Sequence, residues 1–265
     1  MEFIDNVTPL LITYNEIENI ERTLAPLGWA HRIVVVDSGS TDGTLDILKK
    51  DSRIEVYYRP FDSFAEQCNF GLSKITSEWV LSLDADYELS EPLVAELQTL
   101  WPSDAHGGFR ARFTYRIYGR SLRGSLYPPR VVLYRVSRGH YENEGHGHRV
   151  RISGEVSDLR APIYHDDRKP LTRWLGSQLK YAQREAVHLI ESPSDRLTMV
   201  EKIRRMGWPA PILVFFYVLI AKGAILDGIA GWFYAFQRLF AEVLLALELL
   251  DRRLSRAPAK KAGAG

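Results

Sequence analysis

Strand and helix signals alternate along the first hundred residues, and this alternation constrains the fold more than any other feature. Short apolar and β-branched runs predict strands at residues 7–13, 32–36, 54–58 and 79–83. Apolar residues at helical spacing predict helices over residues 15–27 and 63–75, and helices that begin near Leu45 and Ser90. Such alternation is typical of an α/β fold, a mostly parallel sheet flanked by helices.

Polar motifs follow three of the predicted strands. They are Thr13-Tyr14-Asn15-Glu16, Asp37-Ser38-Gly39-Ser40-Thr41-Asp42 and Asp84-Ala85-Asp86. In parallel sheets, ligands bind outside the carboxyl ends of the strands. The sequence therefore predicts that the three motifs line one site at one edge of the sheet.

The two acids of the third motif stand one residue apart at a strand exit. Residues i and i+2 of an extended segment point the same way, so Asp84 and Asp86 can converge on one divalent cation. A nucleotide diphosphate needs such a cation, because its charge must be offset when the bond to it breaks. Taken alone, the pair also fits an acidic loop exposed to solvent.

Positively charged side chains are concentrated in residues 107–141. The segment has interleaved aromatic residues, no acidic residue, and arginines at positions 110, 112, 116, 120, 123, 130, 135 and 138. Such a cluster seeks phosphate or an anionic surface, or consists of solvated arginines on β-strands. A nucleic-acid partner is not expected, because the formal net charge is only +1 and no known binding motif occurs.

The chain from Pro170 onward is expected to be helical. The uncharged stretch 207–221 is shorter than the ~20 apolar residues that cross a bilayer, and Pro209 and Pro211 interrupt it. Helices lying in a membrane interface are therefore expected, and packing on the catalytic domain or on another subunit is the alternative. Residues 256–265 are small and basic and are expected to be disordered.

The start of the chain lacks the pattern of a signal peptide, and Cys68 is the only cysteine.

The motifs together resemble those of family 2 glycosyltransferases with the GT-A (Rossmann-like) fold. Residues 61–72, with Gln67 and Asn69, are similar to a block found in the branch of lipopolysaccharide-core β-1,4-glucosyltransferases, although Cys68 replaces the usual lysine there. Residues 223–231 also resemble that branch. The resemblance is strongest over residues 10–90.

The resemblance implies a nucleotide-sugar site and a Mg²⁺ or Mn²⁺ ion. Asp86 would hold the ion on the diphosphate, together with Asp84. The residues implied to bind the nucleotide-sugar are Thr13, Tyr14, Asn15, Glu16, Asp37, Ser38, Gly39, Asp42, Gln67, Asn69 and Asp84. Asp37 and Asp42 could equally cap the next helix, a role compatible with ligand binding.

Most members of this family invert the anomeric centre, which requires a base for the acceptor hydroxyl. The segment that carries the candidate base in the related branch reads here as residues 141–150, with His148 where a glutamate is expected. Either His148 or Glu144 could accept a proton, and we favour His148. His165 is a weaker candidate and a possible metal ligand; these histidines could also be ordinary loop residues.

The expected organisation is a nucleotide-sugar-binding half at 1–105, an acceptor-binding half at 106–170, and a helical, membrane-associated region at 171–255. The expected activity is inverting, metal-dependent transfer from a nucleotide-sugar, such as a UDP-hexose, to a lipid-linked, lipopolysaccharide or exopolysaccharide acceptor. The expected location is the inner face of a bacterial cytoplasmic membrane. A non-catalytic, membrane-bound subunit that binds a nucleotide-sugar or acts as a scaffold is the main alternative. A nucleotidyltransferase is less favoured, because no glycine-rich phosphate loop follows the first strand. The sequence indicates no oligomeric state.

Overall fold

The computed structural model describes residues 2–144 and 147–256; the side chains of residues 144, 147, 148 and 256 lie outside the described part. The chain divides into two compact units, Met1–Lys169 and Pro170–Gly265. We call them the sheet unit and the helical unit. The tail predicted to be disordered, residues 256–265, lies outside the described residues except for the backbone of Arg256.

The sheet unit consists of short strands connected by short helices. Its strands are β1 (Val7–Thr13), β2 (Ile33–Asp37), β3 (Ile54–Tyr58), β4 (Trp79–Asp84), β5 (Tyr87–Leu89), β6 (His106–Ala111), β7 (Phe113–Ile117), β8 (Arg120–Ser121), β9 (Arg130–Arg135), β10 (Gly139–Glu144), β11 (Gly147–Ile152), β12 (Glu155–Asp158) and β13 (Ile163–His165). Its helices are α1 (Ile20–Leu24), α2 (Thr44–Leu48), α3 (Phe64–Leu72) and α4 (Glu91–Gln98).

Seven strands form the central sheet in the order β12-β6-β9-β4-β1-β2-β3. The neighbours β3, β2, β1 and β4 are parallel, whereas β9 runs antiparallel to both of its neighbours. The prediction of a mostly parallel sheet flanked by helices is therefore confirmed. A four-stranded sheet, β5-β13-β7-β8, and a hairpin of β10 and β11 complete the unit.

Apolar clusters cover both faces of the central sheet. In β2, Ile33 and Val35 pack into one cluster, and Val34 and Val36 pack into the other. Successive side chains of a strand point to opposite faces, so a β-branched run suits a strand that is covered on both sides. Burying each of these side chains contributes roughly 1.5–3 kcal/mol, which stabilises β2 in its interior position between β1 and β3.

The first helix is shorter than the pattern over residues 15–27 predicted. Asn15 has a φ of 55°, in the left-handed region; the chain bends at residues 14 and 15 and forms a turn at residues 17–19. The N–H groups of Asn15, Glu16 and Ile17 donate to side chains of the loop after β2, at Ser40, Thr44 and Asp42. These bonds hold the backbone in a loop, and the helix begins only at Ile20.

The helical unit confirms the predicted C-terminal helical extension. Its helices are α5 (Leu171–Glu191), α6 (Met199–Met206), α7 (Pro209–Phe216) and α8 (Gly228–Arg256). Arg204 of α6 pairs with two buried carboxylates, Glu185 of α5 and Glu242 of α8, at N–O distances of 2.5 and 3.0 Å. These ion pairs tie three helices together, because leaving any of the buried charges unpaired would be costly.

Much of the surface of the helical unit is apolar. Exposed residues on α7 and the turns after it include Ile212, Leu213, Phe216, Tyr217, Ile220 and Leu226. On α8, Ile229, Phe236, Val243 and Leu250 recur every seven residues and are all exposed. Among the described helices, none is by itself long and apolar enough to cross a bilayer; one bent pair, Pro209–Ala221 with Ala224–Ser255, meets that test jointly at an angle of 66°.

Candidate functional site

The carboxyl ends of β2, β1 and β4 lie side by side and bring the three sequence motifs together. Thr13 stands opposite Asp37 in the pairing of β1 with β2, and Ile12 stands opposite Asp84 in the pairing of β1 with β4. Asp86 follows two residues later, before β5 begins. The parallel register therefore sets a row of polar groups along one edge of the sheet, where ligands of such folds bind.

The loops after β1 and β2 interlock through side-chain bonds to the backbone. Asn15 accepts a bond from the N–H of Thr41, while Ser40 accepts one from the N–H of Asn15. Tyr14 lies at the start of the first loop and is half exposed. The two loops are thus held together by their own hydrogen bonds, without a ligand.

Asp37 shapes the second loop from within. Its carboxylate is buried and accepts bonds from the N–H groups of Gly39 and Ser40, at 2.8 and 2.9 Å. Gly39 has a φ of 99°, a conformation that side chains other than hydrogen rarely permit. Asp37 therefore has a turn-forming role in this structure, and its predicted contact with the nucleotide stays a prediction.

Asp42 and Ser38 also have local partners. Asp42 accepts bonds from the N–H of Thr44 at the start of α2 and from the N–H of Ile17. The N-cap position of α2 is Gly43, so Asp42 stands one residue before the cap and bonds to the first residue of the helix. The N–H of Ser38 donates to the carbonyl of Thr13, which joins the ends of β1 and β2.

A buried cluster of charge lies around Asp86. Nε2 of His165 is 3.4 Å from Oδ2 of Asp86, and Nζ of Lys169 is 3.8 Å from the same oxygen. Nζ of Lys169 also lies 2.7 Å from Oε1 of Glu16 and 3.3 Å from Oδ1 of Asp167. The first motif and the third motif therefore meet through a lysine near the end of the sheet unit.

The pKa values of the cluster follow from burial and from these pairings. Burial raises the pKa of Glu16 to about 7, although Lys169 opposes the shift. For Asp86, burial alone would raise the pKa, but the charges of His165 and Lys169 outweigh it and hold the pKa below the usual range. For His165, burial alone would lower the pKa, and the facing Asp86 raises it instead. Asp86 is therefore ionised at neutral pH; it faces the ammonium of Lys169 and favours the protonated form of His165.

Three tyrosine rings enclose the imidazole of His165. The ring centroids of Tyr127, Tyr115 and Tyr87 lie 4.5, 4.8 and 5.3 Å from that of His165. Aromatic faces favour a positively charged group, so this surrounding suits a protonated imidazole paired with Asp86. The predicted role of His165 as a metal ligand stays a prediction.

Asp166 and Asn19 hold the segment that carries His165 and Lys169. Asp166 is fully buried and accepts bonds from the N–H of Gly119 and from the guanidinium of Arg168. The amide of Asn19 donates to Glu16 and accepts from Arg22. Sequence reasoning missed Asn19, Asp166 and Lys169. The signal that could have found the last two is the charged run after the short strand β13.

Gln67 and Asn69, predicted to contact the donor, form bonds within the protein. Gln67 is fully buried, and its amide nitrogen donates to Ser38 and to the carbonyl of Arg59. Asn69 exchanges two bonds with the backbone of Tyr141 in β10. Gln67 thus braces the loop after β2, and Asn69 attaches α3 to the hairpin; their donor contacts stay predictions.

The two candidate bases lie on that hairpin. His148 of β11 pairs with Asn143 of β10, and Glu144 pairs with Gly147. The side chains of Glu144 and His148 fall outside the described residues, so the choice between them stays open.

Several arginines of residues 107–141 pair with carboxylates of the protein. Arg110 bonds to Asp158 at 2.7 Å, and Arg135 pairs with Glu78. Internal pairing thus engages part of the positive charge that the sequence analysis assigned to an anionic partner.

Asp86 has one carboxylate oxygen available for a cation that is shared with a ligand, and the predicted contribution of Asp84 stays a prediction. Among the described residues, no group of three His, Cys, Asp or Glu side chains is arranged to hold a metal ion. Oδ1 of Asp86 is buried and has no hydrogen-bond partner in the described part of the chain. Mg²⁺ is commonly bound through one or two carboxylates plus substrate phosphates, so an unpartnered carboxylate oxygen at this edge suits such a site.

Comparison with known proteins identifies related sequences. A family model described as Glycosyl transferase family 2 matches residues 10–150, more than half of the chain. The lipopolysaccharide core biosynthesis glycosyltransferase LpsC of Rhizobium meliloti is 28% identical over 195 residues, which cover 70% of this chain and 72% of LpsC. A protein of Rickettsia bellii named as an uncharacterized glycosyltransferase is 33% identical over 98 residues, 37% of this chain. The match spans only 33% of the length of that relative.

Among solved structures, S. aureus TarS 1-349 in complex with UDP-GlcNAc aligns with 94% of this chain and 92% of its own, at 14% identity and a TM-score of 0.46.

Proposed function

This chain belongs to glycosyl transferase family 2, and on that premise we propose that it moves a hexose from a nucleotide diphosphate sugar to a lipid-linked saccharide. The observation that carries the proposal is the edge of the sheet at which Asp37 stands opposite Thr13 and Asp84 stands opposite Ile12, with Asp86 two residues beyond. Such an edge suits a nucleotide bound along the strand ends with its diphosphate near the two carboxylates.

The proposed reaction is a single displacement with inversion. The acceptor hydroxyl attacks the anomeric carbon, the bond from that carbon to the diphosphate oxygen breaks, and the hydroxyl proton passes to a base. Glu144 and His148 are the candidate bases. Mg²⁺ or Mn²⁺ held by Asp84 and Asp86 would supply positive charge to the departing diphosphate.

Two observations support a lipid-linked acceptor. LpsC, a relative that matches 70% of this chain, is named for lipopolysaccharide core biosynthesis. The helical unit exposes large apolar side chains, among them Trp208, Phe216 and Ile229, at 71, 52 and 74% exposure. Apolar surface of this extent marks interaction sites, and one leaflet of a bilayer is the partner that suits helices with exposed tryptophan and tyrosine.

The proposed location is the inner face of a bacterial cytoplasmic membrane, where nucleotide-sugars are available. The cation of Lys222 lies 5.6 Å from the ring of Tyr217, next to the exposed apolar residues of α7. A lysine in this position can reach anionic headgroups while its aliphatic stem stays in contact with apolar surface.

A transfer assay tests the proposal. The purified chain is incubated with labelled UDP-hexoses, and other nucleotide-sugars, and with lipid extracts of bacterial envelopes, in Mn²⁺, Mg²⁺ or a chelator. We expect cation-dependent transfer to lipid, and a loss of roughly a hundredfold or more in Asp86→Asn, since removing one group that stabilises developing charge commonly costs that much.

Asp158→Asn is the matched control, because Asp158 is an exposed carboxylate of the same unit, paired with Arg110. It should leave transfer unchanged. The proposal fails if no donor is transferred or hydrolysed, or if Asp86→Asn is as active as the control.

A further inference from the structure

We propose that Lys169 balances the negative charge of the carboxylates of this site when no ligand is bound. Its positive charge then keeps a divalent cation from binding until the cation arrives with the nucleoside diphosphate. The inference rests on the proposed function for the identity of the nucleotide. It assigns a role to a residue that no sequence motif marks.

The geometry places one ammonium group among three carboxylates. Nζ of Lys169 lies 2.7 Å from Glu16, 3.3 Å from Asp167 and 3.8 Å from Asp86. The side chain of Lys169 is only 17% exposed, and those of Glu16 and Asp86 are 11 and 14% exposed. Carboxylates this deeply buried need a nearby positive charge, and Lys169 supplies it when no ligand is bound.

The same lysine opposes a bare cation at Asp86. His165 and Lys169 both face Oδ2 of Asp86, whereas Oδ1 is unpartnered among the described residues. A divalent ion at Oδ1 would stand close to the Lys169 ammonium, and like charges at such separations repel strongly where water is largely excluded. A diphosphate that enters with the ion brings negative charge that offsets this repulsion and supplies further oxygen ligands.

Hydrogen bonds hold the backbone of Lys169 in place. Residues 166–169 directly follow β13, and the buried Asp166 of this segment is bonded to Gly119. Asp167 accepts a bond from the backbone N–H of Lys169. These bonds hold the lysine backbone, so the ammonium is presented to the carboxylates by a fixed segment.

The test measures binding of Mn²⁺ to the full chain without nucleotide, by the loss of the electron paramagnetic resonance signal of the free ion. Lys169→Met removes the charge of the lysine and leaves His165 in place, and we expect Mn²⁺ to bind roughly tenfold or more tightly than to the unmodified chain. Lys169→Arg keeps the charge and should bind Mn²⁺ as weakly as the unmodified chain. Asp86→Asn in the Lys169→Met background should abolish the gain, which locates the ion.

A second variant keeps the test informative if Lys169→Met does not fold. Lys169→Met leaves Glu16 buried beside no cation, whereas Glu16→Gln with Lys169→Met removes the ion pair as a unit. If the single variant does not fold, as judged by circular dichroism, the double variant should show the same gain in Mn²⁺ affinity.

The inference is overturned if a folded variant without the lysine binds Mn²⁺ no better than the unmodified chain. It is also overturned if the variant loses affinity for UDP without gaining any for Mn²⁺, because Lys169 would then be a ligand of the phosphates. UDP binding by the unmodified chain is measured in parallel. Its absence, with or without Mn²⁺, would refute the proposed function, whereas the comparison with Mn²⁺ alone still reports on the lysine.

Discussion

Single carboxyl groups in the sheet unit differ in charge because their neighbours differ. Asp86 faces His165 and Lys169, which keep it ionised, whereas burial is the dominant influence on Glu16. Two carboxyl groups that share one lysine therefore have pKa values on opposite sides of their usual range. Of these two carboxyl groups, Glu16 is the one whose pKa lies near neutral pH, so it gives the site a pH dependence that Asp86 does not.

Glu16 should make the stability of the protein fall as the pH rises from about 5 to 8. Burial raises its pKa from the usual 4.5 to about 7, so the folded state binds the proton more tightly than the unfolded state. The contribution of this group is fully present below the unfolded pKa and is lost as the pH passes through the folded pKa. Glu16→Gln, which cannot titrate, should therefore lose less stability over this interval than the unmodified chain.

Urea unfolding at a series of pH values, in a chelator, measures this difference. Glu66→Gln is a suitable control, because Glu66 is an exposed glutamate on α3 of the same unit. It should leave the slope unchanged. A slope that is the same in Glu16→Gln and in the unmodified chain would contradict the assigned shift.

At the residue scale, the sequence predicted the acids of the site but not the groups that pair with them. Asp84, Asp86 and Glu16 could be found because each follows an apolar run that reads as a strand. Lys169 could not be paired with Glu16, since more than a hundred residues separate them and only the folded sheet brings them together. The orientation of His165 toward Asp86 likewise depends on β13 lying beside β5.

At the element scale, buried β-branched runs made the strands predictable. The predicted strands at residues 7–13 and 54–58 have the observed bounds of β1 and β3; β2 begins and ends one residue later than predicted, and β4 ends one residue later. Together with membership of the family, this arrangement confirms the expected GT-A fold. The helix predicted over residues 15–27 was too long, because side chains of the loop after β2 take up the backbone N–H groups that a helix would use.

Two helical glycines should respond in opposite ways to alanine. At Gly231 in α8, a Cβ atom would stand 1.8 Å from the carbonyl oxygen of Ala224, so the corner before α8 would have to open. We expect Gly231→Ala to destabilise the helical unit by roughly 1–3 kcal/mol or more. Gly176 in α5 has open space around its Cβ position. Gly176→Ala should stabilise α5 by roughly 0.5–1 kcal/mol, because alanine loses less conformational entropy in a helix.

Thermal unfolding followed by circular dichroism, with limited proteolysis of the helical unit, checks both changes. If Gly231→Ala melts at or above the temperature of the unmodified chain, the close approach of α8 to Ala224 is wrong. If Gly176→Ala is the more harmful change, Gly176 has a contact that its open surroundings do not show.

At the scale of the whole molecule, the two units have different surfaces. The sheet unit buries its apolar residues on both faces of a sheet, and its exposed arginines are partly paired with its own carboxylates. The helical unit exposes an apolar row along α8 and the apolar residues of α7. Periodicity in the sequence could predict these helices, but it could not show which faces stay uncovered, because that depends on how the helices pack on one another.

Lipid binding by the chain should therefore depend on the helical unit. Trp208 is 71% exposed in the helical unit and Trp101 is 84% exposed in the sheet unit, so the two tryptophans form a matched pair. In flotation with vesicles containing anionic lipid, Trp208→Ser should reduce the fraction of protein bound severalfold. A tryptophan side chain that inserts into the membrane interface contributes strongly to binding. Trp101→Ser should leave it unchanged. Equal loss in both variants, or no binding by the unmodified chain, would argue against a lipid partner. In that case sedimentation over a range of concentrations would show whether the seven-residue repeat of α8 pairs with a second copy, as repeats of this length do in coiled coils.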